Sequence, residues 1–139
     1  MQMKITFPGG KRVDAELMGR VIPTDQSPAG GGDGSAPEPY SLFLASLGTC
    51  AGIYVLGFCQ ARGLPTDGIY LTQDMDFDPR THRLSRIGIN IHVPPDFPEK
   101  YRPAVRRAAD LCAVKRTMLD PPEMEVRTVV DGEQARLAV

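Results

Sequence analysis

Three cysteines, Cys50, Cys59 and Cys112, and two histidines, His82 and His92, have the widest chemical range in this chain. A thiol can be a nucleophile, a metal ligand or a redox centre, and in each role the thiolate is the active form. A zinc centre needs about four ligands at tight spacing; three scattered cysteines and two histidines do not supply that. A Cys–His nucleophile pair finds no local support either. Three thiols are too few and too odd for a secreted disulfide framework and fit a reducing compartment. The N-terminus, Met1-Gln2-Met3-Lys4-Ile5-Thr6-Phe7-Pro8, holds no apolar run of signal-peptide length, so a cytoplasmic protein is expected.

Cys50 and Cys59 are nine residues apart. On one helix that separation turns through about 900°, which sends the two thiols to opposite faces and forbids a bond between them. Cys59 is expected to be packing. Cys112 has Lys115 and Arg116 three and four residues on, and both cations would favour a thiolate at 112. Taken by themselves, Cys50 and Cys112 leave two readings open. They are a reactive pair, or they are two small buried hydrophobes, free cysteine being among the most buried residue types.

Two other segments look like chemistry and fall short of it. Residues 25–37, DQSPAGGGDGSAP, lack the Gly-Lys-Ser/Thr ending of a phosphate-binding loop and are expected to be a flexible connector. Asp74, Asp76 and Asp78 resemble the start of a calcium loop, but its sixth position would be Pro79 rather than Gly and its twelfth Ser85 rather than Glu. A solvated strand face accounts for them better.

The elements that must position the thiols follow from pattern. Met3 to Phe7 and Arg12 to Met18 are short β-compatible runs split by Pro8-Gly9-Gly10, with Val21-Ile22 a third. Between Glu38 and Arg62 there is no charged residue. Pro39 suits a first helical turn, and Gly63 and Pro65 supply the stop. The helix over 39–62 is about 35 Å long at 1.5 Å per residue. Being apolar on nearly all sides, it needs cover on nearly all sides. About 20 apolar residues would also cross a membrane, but Ser41, Ser46, Thr49, Gln60 and three glycines interrupt this run, and half-buried strands flank it. A soluble protein is expected. Small residues at 41, 45, 48 and 52 lie within roughly 40° of one line, a stripe that suits a second helix from this chain or a partner chain.

After Gly68 the period becomes two: Ile69, Leu71, Met75 and Phe77 face one way, Tyr70, Thr72 and the three aspartates the other. Asp78-Pro79-Arg80-Thr81 turns the chain into Leu84–Val93, completing a hairpin with one wet side. A second helix is expected from Pro98-Glu99 through Leu119, with Val105, Ala108, Ala109 and Cys112 on one face. Met124 to Val130 reads as a last strand and Asp131-Gly132 as a turn. The order β-β-(β)-α-β-β-α-β makes an α+β domain with mainly antiparallel pairing. The 139 residues, 42% hydrophobic and 24% charged, form one domain over 1–139. A net charge of −1 argues against a global electrostatic grip on nucleic acid or acidic lipid.

The stretch Pro39-Tyr40-Ser41-Leu42-Phe43-Leu44-Ala45-Ser46-Leu47-Gly48-Thr49-Cys50 resembles the P-x-E-L-L-L-A-A-L-G-x-C signature of the OsmC/Ohr family, the osmotically inducible and organic-hydroperoxide-resistance proteins. Ala108-Ala109-Asp110-Leu111-Cys112-Ala113-Val114 resembles that family's second signature, a cysteine followed by Pro-Val or similar. The resemblance implies an OsmC-like fold: an intertwined homodimer in which antiparallel sheets from both chains wrap two long central helices. It also implies that Cys50 is peroxidatic, that Cys112 resolves the sulfenic acid as a disulfide, and that an external dithiol reduces the pair. No metal, haem or flavin is required.

Burial raises a thiol pKa, and a helix dipole fades within a turn, so Cys50 needs a cation from elsewhere. The family supplies an arginine held by a glutamate near the start of the same helix. Here the glutamate position reads Tyr40 or Ser41, Glu38 comes two or three residues early, loop 25–37 holds no arginine, and Ala113 replaces the proline. Arg12 and Arg20 are substitutes by location only. The chain looks like a divergent branch, with two functions open: a thiol-dependent peroxide reductase, or a non-catalytic OsmC-like dimer that binds a small apolar ligand and keeps a vestigial thiol pair.

Overall fold

Glycine turns fold the first strands into a meander. In the computed structural model, which describes residues 1–130, β1 (Lys4–Gly9) pairs antiparallel with β2 (Arg12–Leu17), and β2 with β3 (Arg20–Ile22). The β2–β3 turn has positive φ at both Met18 and Gly19, the two-residue hairpin geometry whose twist matches the strands.

Residues 25–37 are a built loop, not the slack connector expected. Asp25, 1% exposed, is its centre. Its carboxylate accepts from the Ser35 hydroxyl at 2.6 Å, the Ser35 N–H at 3.0 Å and the Gln26 N–H at 2.8 Å. Led by the Ser35 hydroxyl, these donors lower its pKa from 3.8 to about 2. Gly32 closes the loop: a Cβ there would lie 2.2 Å from the Gln26 carbonyl oxygen. Such organisation needs polar contacts eight to ten residues apart, which composition does not display.

α1 (Pro39–Ala61) follows with Pro39 in its first turn and Gly63 at φ 62° past its end. Among the described residues one face of α1 is covered, the face that carries Leu47, Ala51, Val55, Phe58 and Cys59. Val55, Phe58 and Cys59 join Phe97 and Val105 as the main core, against which Leu71, Ile91 and Tyr101 pack. The opposite face carries Ile53, 59% exposed, with Leu56 and Phe43. The small-residue stripe meets a strand rather than a helix at Gly48: a Cβ there would lie 2.9 Å from the Gln73 Oε1, and the Gln73 Nε2 donates to the Leu44 carbonyl at 3.0 Å.

β4 (Tyr70–Phe77) and β5 (Leu84–His92) form the second antiparallel pair, with Leu71 opposite Ile91 and Met75 opposite Ile87. On the outer face Tyr70 stacks on His92 with centroids 4.4 Å apart. Asp74 accepts from Asn90 at 2.8 Å, Asp76 pairs with Arg86 at 3.2 Å, and Asp78 accepts the Arg80 and Thr81 N–H groups of the turn. Each of the three carboxylates is engaged separately, as on a solvated strand face.

Two expectations fail beyond β5. The single helix from 98 to 119 is broken into α2 (Arg102–Asp110) and α3 (Ala113–Leu119). Cys112 takes an extended ψ of 122° between them, and its sulfur caps α3 by accepting the Lys115 N–H at 3.5 Å. The break carries Cys112 over α1, where it is 1% exposed. The segment 124–130 forms no strand either: no ladder partner lies beside it among the described residues, and Val126 is 96% exposed. A strand requires an edge to pair with, and alternation in sequence does not provide one. The Asp131-Gly132 turn lies outside the described residues.

Candidate functional site

The site grows from the break between α2 and α3. A helix starts with N–H groups that have no partner inside it. Those of α3 point at the middle of α1, where Cys50 projects half-buried toward them. The Val114 N–H is the strongest influence on the Cys50 thiol, holding it below its ordinary value of 9.0. A hydrogen bond from the Cys112 thiol acts in the same direction, burial opposes both, and the Ala113 N–H and the positive charge of Arg116 add to the lowering.

Cys112 is displaced the opposite way. Burial chiefly pushes its thiol up, and the neighbouring Cys50 adds to the rise, while the Lys115 N–H works against it. Its Sγ also lies 3.9 Å from the Leu47 carbonyl oxygen. All three thiols are unbonded. The pair is therefore unequal: the Cys50 thiol is held down, and the Cys112 thiol, whose S–H faces the Leu47 carbonyl, is pushed up.

Cys50 and Cys112, 62 residues apart in sequence, are thus neighbours. Cys59 is not with them. It sits in the α1–α2 core at 0% exposure, its thiol raised by burial with a small opposing effect of Arg62. Neither histidine approaches the pair: His92 bonds Thr72 at 2.9 Å on the outer hairpin face, and His82 lies in the β4–β5 turn.

The charges depart from expectation. Lys115 and Arg116 do not make Cys112 the ionised thiol. Lys115 is tied to Asp110 at 2.6 Å, and Arg116 acts on Cys50. Glu38 does not hold an arginine: it accepts the Ser27 N–H at 3.0 Å, which keeps its pKa low. Arg12 pairs with Asp14 at 3.0 Å in the meander. The activating donors that the sequence left unassigned are the Val114 and Ala113 N–H groups, with Arg116. No glycine or proline marks the break after Leu111, so no local signal announced a helix start at 113.

Beside the pair, with Cys112 in its lining, lies an open cleft of about 400 Å³ between β5, α1 and the α2–α3 corner. Leu47, Ile87, Ile89 and Met118 are among its apolar walls, and Arg106, Asp110 and Lys115 stand among its charged lining.

A family model described as OsmC-like protein matches residues 32–127. No curated protein matches the chain in sequence. Solved structures share the fold, among them the following three. One, from Psychrobacter arcticus 273-4 and assigned to osmotic stress induction and detoxification response, is 21% identical, with a TM-score of 0.69 over 84% of this chain and 87% of its own. An OsmC-like protein of unknown function from Vibrio cholerae is 11% identical, with a TM-score of 0.60 over 84% and 91%. An organic hydroperoxide resistance protein OsmC from Legionella pneumophila is 14% identical, with a TM-score of 0.54 over 85% and 89%.

Proposed function

We propose that this chain, which belongs to the OsmC-like protein family, is a thiol-dependent peroxide reductase that works as a cytoplasmic homodimer, with Cys50 as the attacking sulfur and Cys112 as the resolving one. The observation that carries the reading is the unequal thiol pair: Cys50 held down by α3 N–H groups and the Cys112 S–H, Cys112 pushed up by burial.

In the first step the Cys50 thiolate attacks the outer oxygen of a hydroperoxide. The O–O bond breaks, an S–O bond forms, and the alkoxide leaves as an alcohol after taking a proton. Cys50 is then a sulfenic acid, oxidised by two electrons. The Cys112 sulfur attacks that sulfenic sulfur, water leaves, and a disulfide joins the two. An external dithiol restores both thiols by exchange. α3 serves the first step by stabilising the thiolate and the second by carrying Cys112 to it.

The homodimer is the cover that α1 lacks. Ile53, Leu56 and Phe43 are apolar and exposed on α1 among the described residues, and a second copy would bury them.

The test is consumption of cumene hydroperoxide with dithiothreitol as donor. Cys50→Ser should abolish turnover. Cys112→Ser, given peroxide in the absence of dithiothreitol, should stop after one stoichiometric event at a Cys50 sulfenic acid that dimedone traps. Unchanged turnover in Cys50→Ser would refute the proposal.

A further inference from the structure

The second sulfur of the pair has a structural duty that the peroxide chemistry does not use. α3 is seven residues long, has no acidic residue in its first turn and buries none of its side chains. A helix of that length is marginal by itself. The first N–H groups of a helix have no partner inside it, and in α3 they meet sulfur. The Lys115 N–H donates to the Cys112 Sγ at 3.5 Å, and the Val114 N–H faces Cys50. One other clamp spans the break between α2 and α3, the Lys115–Asp110 pair at 2.6 Å. Both of its side chains are about half exposed, where an ion pair contributes little.

Oxidation changes both acceptors at once. When the Cys50 sulfenic acid and the Cys112 thiol condense, water leaves and each sulfur is committed to the S–S bond. Cys50 then carries no charge for the Val114 N–H to meet. Cys112 loses the proton that faces the Leu47 carbonyl, 3.9 Å from its sulfur. That sulfur is a weak acceptor to begin with, and its position is now set by the bond to α1 rather than by α3.

From this double duty of Cys112, attacking sulfur and helix cap, we infer that the thiol pair is a redox-operated catch on α3: the reduced sulfurs hold its first turn closed, and the disulfide releases it. The inference rests on the reading of Cys50 and Cys112 as a pair that oxidises together, and it adds a regulation of that site. In the reduced chain Cys112 is 1% exposed, out of reach of an external dithiol. Release of α3 as the disulfide forms opens the way for the reductant, and capping closes it again after reduction.

Amide hydrogen exchange of the full chain, read by mass spectrometry over 113–119, tests the catch. Diamide, a thiol oxidant, makes the disulfide without peroxide, and alkylation shows whether Cys50 and Cys112 are consumed. In the oxidised chain the α3 amides should exchange about tenfold faster, as expected when hydrogen bonds to a charged acceptor are lost, while those of α1 from Val55 to Ala61 stay unchanged. Cys112→Ala should speed α3 exchange about fivefold in the reduced state, the effect of a lost cap. Cys112→Ser keeps a capping oxygen and forms no disulfide, so its α3 should be at least as protected as in the reduced parent and indifferent to diamide.

α3 exchange that the disulfide leaves unchanged or slows would overturn the inference, as would parental exchange in reduced Cys112→Ala or a diamide response in Cys112→Ser. Free Cys50 and Cys112 after diamide would remove the pair itself, and the peroxide reading with it. A disulfide that forms without faster α3 exchange removes the catch alone.

Discussion

Val114→Pro isolates the interaction on which the reactivity of Cys50 depends. Val114 is the second residue of α3, so its N–H has no partner within the helix and is free to meet the Cys50 sulfur. Proline deletes that N–H and no helical hydrogen bond. α2 already carries Pro103 at the same second position, so this architecture tolerates the ring there. A hydrogen bond to a charged group contributes about 1.5–3 kcal/mol. The Cys112 thiol, the Ala113 N–H and Arg116 remain, so the lower end of that range applies, about 1.5 kcal/mol, or roughly tenfold in thiolate population. Alkylation by iodoacetamide, read site by site by mass spectrometry, reports that population. At pH 7 Cys50 should react about tenfold more slowly in Val114→Pro than in the parent. Above the ionisation of all thiols the two rates should converge, because only the thiolate fraction has changed. Arg116→Ala, removing the weakest of the lowering influences, should slow the reaction about twofold at most. If Val114→Pro keeps its helical signal and melting temperature yet alkylates at the parental rate at pH 7, the backbone of α3 does not activate Cys50, and the two thiols are not made unequal in this way.

Other perturbations test the frame around the pair. Asp25 titrates near 2 in the folded chain against 3.8 unfolded; its contribution to stability is full above about pH 4 and vanishes as pH falls toward 2. Acid melts should therefore show a loss across that window which Asp25→Asn lacks, and identical pH profiles would mean that the loop's carboxylate does not stabilise the fold. Ile53→Asp places a charge on the open face of α1; at about 2 kcal/mol per copy, the dimer should weaken roughly 1,000-fold, a change sedimentation velocity would read and whose absence would put the interface elsewhere. Cys59→Ser buries a hydroxyl where a thiol packs at 0% exposure. It should cost about 1–3 kcal/mol in denaturant melts and leave peroxide turnover untouched; lost turnover in a folded variant would give Cys59 a part in the chemistry.

How much of this was legible in the chain depends on the range of the physics involved. An uncharged run from Pro39 to Ala61 reads as a helix seeking cover, and the alternation from Ile69 to Val93 as a half-wet hairpin; both are properties of neighbours along the backbone, and both elements stand in the structure. The same short range set Cys50 against Cys59. Two motifs, one around Cys50 and one around Cys112, carried the family resemblance. What depended on distant residues was not legible. Nothing near Leu111 encodes a break: α3 begins at Ala113 because Cys112 is drawn down onto α1, a preference set by burial about 60 residues away. For that reason Arg116 was matched to the wrong sulfur and Lys115 to a thiol rather than to Asp110, and the N–H donors that hold down Cys50 went unseen, since a backbone N–H has no letter in a sequence. The loop around Asp25 and the unpaired segment 124–130 share the cause: hydrogen bonds between remote partners form, or fail to form, only once the chain has brought an edge or a carboxylate within reach.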